Sequence, residues 1–319
     1  MTTAVPAVRN AVRTWLENYE AGDTVLVAVS GGADSLALAH ALSIEGKEFV
    51  ITVVGVTVDH QLQEQSGAQA EKVKNQLKDF GLDCIIRKVN VDLKNGLEAS
   101  ARKARYEALQ ETAQEHNAVA VFLGHTRDDQ AESVLLGLAR GSGARSLSGM
   151  AVVNGKIIRP LLSVTREVTE QACKDLGLDA WSDPHNFNTE FSRVRVRTQV
   201  LPVMEKEIGP GIAEALARTA SLLRDDADAL DELTDRTAQG HDLASLEIEF
   251  LAGLPKAIRT RLIRRAIYAQ GAPMGSVTAD HVSAVEALIT AWHGQGEISL
   301  PGGVKVARIS GRLSAYARS

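Results

Sequence analysis

Cysteine is nearly absent from this sequence. Only Cys84 and Cys173 occur, and neither belongs to a C-x-x-C pair. Zinc and iron–sulfur centres built on thiolates need several cysteines at short spacing, so such a centre is not supported. The sparse use of cysteine fits a reducing compartment, and we expect both thiols to be buried structural groups.

Long hydrophobic runs and a surplus of positive charge are also missing. No run of about 18 uncharged apolar residues could span a bilayer, and residues 1–10 lack the basic and apolar regions of an export signal. We therefore expect a cytoplasmic protein with no membrane partner. The net charge of −5 argues against a surface that coats nucleic acid, although local basic clusters remain.

Strand-like and helix-like segments alternate over the first part of the chain. Apolar, β-rich runs cover 24–29, 50–58, 83–89 and 119–124, and helical patterns near 34–45, 68–80 and 97–116 separate them. Such alternation is typical of βαβ units. We predict an α/β fold with a doubly wound, mainly parallel sheet, whose ligands lie beyond the carboxyl ends of the strands.

The rest of the chain has a mostly helical pattern and ends in a small mixed unit. The helical pattern from about 190 to 232 is broken near Gly209-Pro-Gly211. Helices are predicted near 255–270 and 277–292, and short strands near 157–159, 298–300, 304–309 and 313–316. At 319 residues two or three units are expected. We predict a principal domain at 1–205, a helical arm at 206–245 and a small α+β domain at 246–319.

The segment Ser30-Gly-Gly-Ala-Asp-Ser35 links the first predicted strand to a helix. Gly31 and Gly32 are expected to adopt positive φ and to let the backbone approach a ligand, while the first amides of the helix face an anion. The segment has neither the lysine of a Walker A loop nor G-x-G-x-x-G spacing. We interpret it as a phosphate-binding loop; an ordinary strand-to-helix turn is the alternative.

A second polar segment, residues 124–132, follows the fourth predicted strand and opens a helix. Asp129 and Glu132 are three positions apart and share a face of that helix, whereas Asp128 points elsewhere. Two carboxylates at this edge of a sheet can hold magnesium or an ammonium group. The alternative is that Asp128 or Asp129 caps the helix and Glu132 is solvated.

Other polar residues stand at strand ends or on nearby helices. Asp59 could contact ribose or magnesium, or hold a turn, and His125 could pack against nucleotide or cap its strand. Arg105 and Arg197 would read as surface charge if considered alone. The three tryptophans, Trp181 among them, are expected in the core or at domain contacts.

Several motifs in order along the chain carry a family resemblance. The loop at 30–35 resembles the S-G-G-x-D-S loop of the N-type ATP pyrophosphatases. The stretch 124–150, from Gly-His-Thr-Arg-Asp-Asp-Gln-Ala-Glu to Leu-Ser-Gly-Met, resembles the signature of tRNA(Ile)-lysidine synthetases. Further matches are Val58-Asp-His60, 98–106, Arg159-Pro-Leu-Leu162, 183–197, 254–259 and Leu300-Pro-Gly-Gly303. The resemblance covers nearly the whole chain and corresponds to the short form of the family.

The resemblance implies a ligase with an adenine nucleotide alpha hydrolase-like fold. It implies that ATP adenylates the wobble cytidine of an isoleucine tRNA with a CAU anticodon, and that L-lysine then replaces AMP. ATP would lie on Ser30, Gly31, Gly32, Ala33, Asp34, Ser35, Asp59 and His125. Mg2+ would bind Asp34, and lysine would bind Asp129 and Glu132, with Arg105 and Arg197 on phosphate or the adenylated base.

Binding of the tRNA would rest on the helical arm and the last domain in a short-form member. The candidates for tRNA contacts are basic residues in two clusters: Arg193, Arg259, Arg261, Arg264 and Arg265. The sequence leaves the oligomeric state open, a homodimer included. It also leaves open which group takes the proton from the lysine amine.

Three competing functions remain at this point. A tRNA cytidine thiolase of the same superfamily would be expected to show paired cysteines, and a glutamine-dependent synthetase would need a glutaminase domain. A non-catalytic tRNA-binding protein would not need Asp34, Asp129 and Glu132 together, and all three are present.

Overall fold

A computed structural model describes residues 3–61, 66–91, 97–141 and 143–317, with the backbone alone at 97–98 and 184–185. The motif residue Glu98 is therefore placed in a helix without a description of its side chain. The chain forms two compact units, one of residues 1–142 and 146–221 and one of 143–145 and 222–319. In the described ranges no helix has the length and apolar character needed to cross a membrane.

A six-stranded sheet forms the centre of the first unit, in the order β3-β2-β1-β4-β6-β5. All neighbouring strands pair in parallel except β5, which is antiparallel to β6. The doubly wound, mainly parallel sheet predicted from the sequence is confirmed. The strands are β1 Thr24–Ala28, β2 Thr52–Asp59, β3 Asp83–Lys88, β4 Ala120–Leu123, β5 Val153–Asn154 and β6 Ile157–Ile158.

Helices cover both faces of this sheet, which is why its central strands are apolar without alternation. On one face, Val25, Val27 and Phe122 belong to a core shared with the first, second, third and seventh helices. On the other face, Leu26 and Val56 pack with the fourth helix. The helices between residues 4 and 175, whether or not they cover the sheet, are α1 Ala4–Leu16, α2 Ala33–Glu48, α3 Ser66–Asp79, α4 Leu97–Glu115, α5 Arg127–Ala139, α6 Ala144–Leu147 and α7 Arg166–Asp175.

Helix α1 was not predicted, although a sequence signal for it exists. Its buried residues Ala4, Val8, Val12 and Leu16 recur every four positions, the spacing of one helix face. After α7 the first unit continues with α8 Ser192–Arg195, a π-helical turn Val196–Val200 and α9 Leu201–Glu207. Helix α10, Ile212–Ala238, begins after the predicted break at 209–211.

The second unit pairs helices with a four-stranded antiparallel sheet in the order β7-β10-β9-β8. Leu246, Leu262 and Val304 lie in its fully buried core. The helix α11 and the strand β7 were not predicted, because each is too short to show a period. The elements are β7 Ser245–Glu247, α11 Ile248–Gly253, α12 Lys256–Ala269, α13 Ala279–Thr290, β8 Ile298–Ser299, β9 Val304–Ile309 and β10 Arg312–Ala317.

Candidate active site

A cleft of about 790 Å³ opens at the carboxyl edge of the six-stranded sheet. It lies where β1 and β4 are neighbours although they are not consecutive, which is the point where strand order reverses. Ligands of open parallel sheets bind at such a point. The cleft brings together most of the predicted site residues of the first unit, while Gly31 and Glu132 are not among the residues that line it. The predicted residues that line it are Ser30, Gly32, Ala33, Asp34, Ser35, Asp59, Arg105, His125, Asp129, Arg193 and Arg197.

The loop after β1 has the backbone of a phosphate-binding turn. Gly31 has φ +90°, and a Cβ there would lie 2.7 Å from Gln69 Nε2 and 2.9 Å from Val73 Cγ2, so only glycine fits. Gly32 does not adopt the predicted positive φ: its φ is −73°, because it is the N-cap of α2. The Ser35 hydroxyl donates to the Gly32 carbonyl at 2.9 Å and accepts from the Ser30 amide at 3.2 Å, which ties the turn together.

The end of β4 lies directly against the start of α2. A Cβ on Gly124 would be 3.0 Å from the carbonyl carbon and oxygen of Asp34 and 3.1 Å from Ser35 Cα. These are backbone atoms that cannot move aside without moving the helix. Glycine at 124 therefore allows the loop that carries the second acidic motif to contact the first turn of the phosphate loop helix.

Asp34 points from the first turn of α2 into the cleft. One of its carboxylate oxygens accepts a hydrogen bond from the Thr169 hydroxyl, and Arg166 Nε lies 3.4 Å from the other. Burial raises the pKa of Asp34 to about 6, and Arg166 and Thr169 offset that rise only in part. A cation bound beside Asp34 would therefore stabilise its ionised form.

One carboxylate oxygen of Asp129 caps the helix that carries it, and the other contacts arginines in the cleft. Its Oδ2 accepts from the amide of Thr126 at 2.9 Å and from the Thr126 hydroxyl at 3.1 Å, which makes a capping box at the start of α5. Its Oδ1 accepts from Arg166 Nη2 at 2.9 Å and Arg197 Nη2 at 3.3 Å. Burial acts to raise the pKa of Asp129, but Arg166 and the other positive groups outweigh it and the pKa falls.

Glu132 lies one helical turn further along α5 and is fully buried. Arg197 donates to both of its oxygens, with Nε at 2.7 Å and Nη2 at 3.1 Å. Arg166 Nη1 and Arg193 Nε each lie 3.4 Å from a Glu132 oxygen. Asp129 and Glu132 therefore face the same side of α5, as predicted, while Asp128 accepts the backbone amide of Arg166 at 2.8 Å.

Arg166 is the residue that sequence reasoning missed. It is the first residue of α7, and its guanidinium contacts all three carboxylates: Asp34, Asp129 and Glu132. Burial acts to lower the pKa of Arg166, but the three acids outweigh it and raise the pKa, so the side chain is a permanent cation. No local pattern around position 166 indicates a site, since the residue reaches the cleft only through the fold.

Several basic side chains that line the cleft carry buried polar atoms without hydrogen-bond partners among the described residues. They include Arg105 Nε, His60 Nδ1 and His125 Nδ1. Burial lowers the pKa of His125 to about 3, so its imidazole is neutral. Arg105 lies with its guanidinium carbon 5.5 Å from the centre of the Tyr106 ring. Unpaired buried donors and acceptors of this kind are expected where a polar ligand binds.

Two further residues have structural contacts as well as places in the cleft. Asp59 Oδ1 accepts the backbone amide of Gln61 at 2.9 Å, so the side chain holds the turn after β2. The Trp181 amide donates to the Gly31 carbonyl at 2.8 Å, and the residue lines the cleft and is half-buried. The two cysteines are free thiols; Cys173 is buried as expected and Cys84 is half-buried.

Among the described residues, no group of three or more His, Cys, Asp and Glu side chains could hold a metal ion. A magnesium ion that arrives with ATP does not need such a group, because it commonly uses one or two carboxylates, the phosphates and water. Asp34 fits that requirement: it is ionisable, it borders the phosphate loop and it faces the cleft.

The arginines predicted to contact tRNA divide between the two units. Arg193 lies in the cleft and donates to the Ser133 hydroxyl at 2.8 Å. In the second unit every one of the other four arginines already has an intramolecular contact. Arg259 contacts Glu286, Arg261 contacts Asp231, Arg265 contacts Asp235, and Arg264 donates to the Val277 carbonyl.

Comparison with protein families and curated relatives agrees with this arrangement. The PP-loop domain family matches residues 6–204, and the TilS substrate binding domain family matches residues 246–314. The chain is 52% identical to a tRNA(Ile)-lysidine synthase of Thermobifida fusca over 97% of this chain and 96% of the relative. It is also 52% identical to one of Streptomyces coelicolor, over 91% and 84%.

Among solved structures, a U34-tRNA thiolase, NcsA from Methanococcus maripaludis, has the same fold. The TM-score is 0.60 at 18% identity, over 69% of this chain and 79% of that chain. The full-length identity to curated relatives is far more specific than this shared fold. The chain is an ATP-utilising ligase of the PP-loop class, and it belongs to the tRNA(Ile)-lysidine synthase family.

Proposed function

We propose that this protein joins L-lysine to C2 of the wobble cytidine in an isoleucine tRNA with a CAU anticodon, at the expense of ATP. The observation that supports this proposal best is the contact of Asp34, at the phosphate loop, and the pair Asp129 and Glu132 with the same guanidinium, that of Arg166. One cleft thus offers a phosphate site next to an acidic pocket for an amine.

In the first step, the C2 carbonyl oxygen of the cytosine attacks the α-phosphate of ATP. The bond from the α-phosphorus to the bridging oxygen of the β-phosphate breaks, and pyrophosphate leaves. The loop amides at 31–35 and the positive end of α2 stabilise the leaving group, because charge accumulates there. Asp34 would hold a magnesium ion, which neutralises phosphate charge when it is bound.

In the second step, the side-chain amine of lysine attacks C2 and AMP leaves with the C2 oxygen. Free lysine has a pKa of about 10.4, so the ammonium form enters and must lose a proton before it attacks. Asp129, Glu132 or a neighbouring group accepts that proton. Asp129 and Glu132 bind the ammonium and place it beside the activated carbon. They are on one face of α5, so the two carboxylates together can accept the charge-assisted hydrogen bonds of one ammonium group.

The remaining roles follow from charge and position. Arg105, His125 and Arg193 border the part of the cleft that would hold the nucleotide and the target base. The four arginines of the second unit are candidates for contacts to tRNA phosphates, which position a nucleic acid without reading its sequence. We assign catalysis to residues 1–205, a connecting arm to 206–245 and tRNA contact to 246–319.

Lysine incorporation tests the proposal directly. Purified protein, ATP and labelled lysine should yield labelled isoleucine tRNA with a CAU anticodon, with one AMP and one pyrophosphate for each lysine joined. A methionine tRNA with the same anticodon is the matched control and should stay unlabelled. A folded protein that binds ATP and never labels the isoleucine tRNA would contradict the proposal. Sulfur transfer to the same tRNA would favour a thiolase instead.

A further inference from the structure

The acidic pocket proposed for lysine is already filled by arginine side chains. Both oxygens of Asp129 and both oxygens of Glu132 have contacts with protein donors or with an arginine at 3.4 Å or less. Across the cluster three carboxylates face three arginines: Asp34, Asp129 and Glu132 against Arg166, Arg193 and Arg197. Among these six side chains the positive and negative charges balance, so they present no surplus negative charge to an ammonium group.

An incoming ammonium needs about three acceptors, so one arginine has to leave the pocket. Arg197 is held most tightly, since it donates to both oxygens of Glu132 at 2.7 and 3.1 Å. Arg193 is anchored on Ser133. Among the described contacts, the guanidinium of Arg166 has a single hydrogen bond shorter than 3.4 Å, the 2.9 Å bond to Asp129.

Arg166 is also the one member of this cluster that contacts Asp34 at the phosphate loop. Its backbone is fixed, because its amide donates to Asp128 at 2.8 Å. Its side chain is long, so the guanidinium can move while the helix start stays in place. Phosphates bound at the start of α2 would attract this cation more strongly than a carboxylate does, since they carry more charge and accept bidentate bonds.

We infer that Arg166 is a positioning residue that couples the two substrates. Without nucleotide its guanidinium occupies Asp129 and Glu132. When ATP binds, the guanidinium moves to the phosphates and leaves oxygens of the acidic pair free for the lysine ammonium. The inference rests on the proposed function, because it takes lysine as the second substrate. It also specifies the sign of the coupling between the two sites: bound nucleotide raises the affinity for lysine.

Calorimetric titration of lysine measures this coupling without turnover. The full chain is titrated alone and with saturating α,β-methylene-ATP and magnesium, an analogue that cannot be cleaved between its α and β phosphates. Coupling between sites typically changes affinity by about 5- to 150-fold. For the wild type we expect lysine to bind about tenfold more tightly with the analogue, which is within that range.

The decisive variant is Arg166→Gln. It removes the competing cation, so lysine should bind more tightly than to the wild type when no nucleotide is present, and the analogue should no longer matter. A residue that only maintains the fold would weaken lysine binding when removed. Arg166→Lys keeps the charge and should restore part of the nucleotide dependence.

Arg195→Gln is the matched control, because it removes one positive charge from helix α8 at a residue that does not line the cleft and whose guanidinium donates to the carbonyls of Thr189 and Glu190. It should keep the nucleotide dependence of lysine binding. The inference is overturned if Arg166→Gln weakens lysine binding without nucleotide, or if the analogue changes wild-type lysine affinity by less than about twofold. Failure of the proposed function shows differently, as a wild type that never incorporates lysine into tRNA.

Discussion

Buried carboxylates contact arginines both in the cleft of the first unit and in the second unit. The two places differ in the number of arginines that contact one carboxylate. In the cleft, Glu132 faces Arg166, Arg193 and Arg197 at once. In the second unit, two nitrogens of Arg259 donate to one oxygen of Glu286 at 2.7 and 3.0 Å, and a third donates to the Leu254 carbonyl. A network of one carboxylate and three arginines can exchange partners when a ligand arrives. The second oxygen of Glu286 has only an ion pair of 3.8 Å with the exposed Lys256, so we expect this group to hold the fold.

The largest effect should follow loss of the shared acid. Glu132→Gln removes one charge from the ammonium site, and a hydrogen bond to a charged group contributes about 1.5 to 3 kcal/mol. We expect the KM for lysine to rise roughly a hundredfold, with ATP binding largely intact. Steady-state lysine incorporation and calorimetric ATP binding measure the two quantities. An unchanged KM for lysine would remove Glu132 from the lysine pocket.

The matching change in the second unit is Glu286→Gln. It leaves the buried guanidinium of Arg259 without its counter-charge, and we expect the free energy of unfolding to fall by about 2 kcal/mol. The KM for lysine should not change. Denaturant unfolding and the same incorporation assay test this. A rise in the KM for lysine would mean that the two arrangements do not differ as described.

A third prediction concerns how the free energy of unfolding depends on pH through Asp34 in the cleft. Burial raises the pKa of Asp34 from 3.8 to about 6, so the folded chain holds a proton that the unfolded chain releases between these values. The nucleotide-free protein should therefore lose stability as the pH rises from about 4 to about 6, and should not regain it above that range. Each pKa unit corresponds to about 1.4 kcal/mol, which limits the loss to about 3 kcal/mol.

Asp34→Asn isolates this contribution because asparagine does not titrate. The variant should be inactive in lysine incorporation, and more stable than the wild type at about pH 7.5. Its advantage should disappear near about pH 4. Urea unfolding of both proteins at several pH values measures the difference. A difference that is constant with pH would contradict the prediction.

Two glycines with positive φ extend the comparison to the backbone. Gly31→Ala places a Cβ against Gln69 and Val73, whereas Gly311, with φ +75°, has open space around the same position. Both substitutions carry the left-handed backbone cost of about 1 to 2 kcal/mol, but only Gly31→Ala should also raise the KM for ATP. Equal ATP kinetics in the two variants would show that the loop geometry around Gly31 does not matter for ATP.

The smallest effect on stability is expected at Arg265, whose partner Asp235 is mostly exposed. Arg265→Gln should change the free energy of unfolding by less than about 1 kcal/mol. If the side chain contacts a tRNA phosphate, affinity should fall and the slope of log affinity against log salt should decrease by about 1. Filter binding at several salt concentrations measures that slope. An unchanged slope would argue that Arg265 serves the second unit alone.

Much of this architecture could be predicted because it depends on periodicity and on strand ends. Strands β1 to β4 and the helices between them could be predicted from apolar runs and from the helical patterns that separate these runs. The positions of Asp34, Asp129 and Glu132 at one edge follow from parallel topology. The family resemblance indicated that the acceptor is a tRNA cytidine and that lysine is joined to it, which periodicity cannot show.

The rest depended on three-dimensional contacts. Arg166 reaches Asp34 across 132 positions of sequence, and nothing local distinguishes it from a solvated helix residue. Gly32 keeps a negative φ because capping a helix and making a tight turn require different backbone angles at successive residues. The sequence predicts Trp181 in the core or at a domain contact, since a large aromatic residue has no local feature that indicates a place beside a phosphate loop.

The two oxygens of Asp129 have consequences for how this enzyme could change its amino-acid substrate. Oδ2 accepts the hydrogen bond that caps helix α5, so any replacement at 129 alters both the fold and the ligand contact. Most variants at this position would therefore fail to fold before a new specificity could be selected. The described contacts of Glu132 are all with arginines, and none of them caps a helix. We expect directed evolution toward other amines to accumulate changes at 132 and at the arginines around it, while 129 stays aspartate.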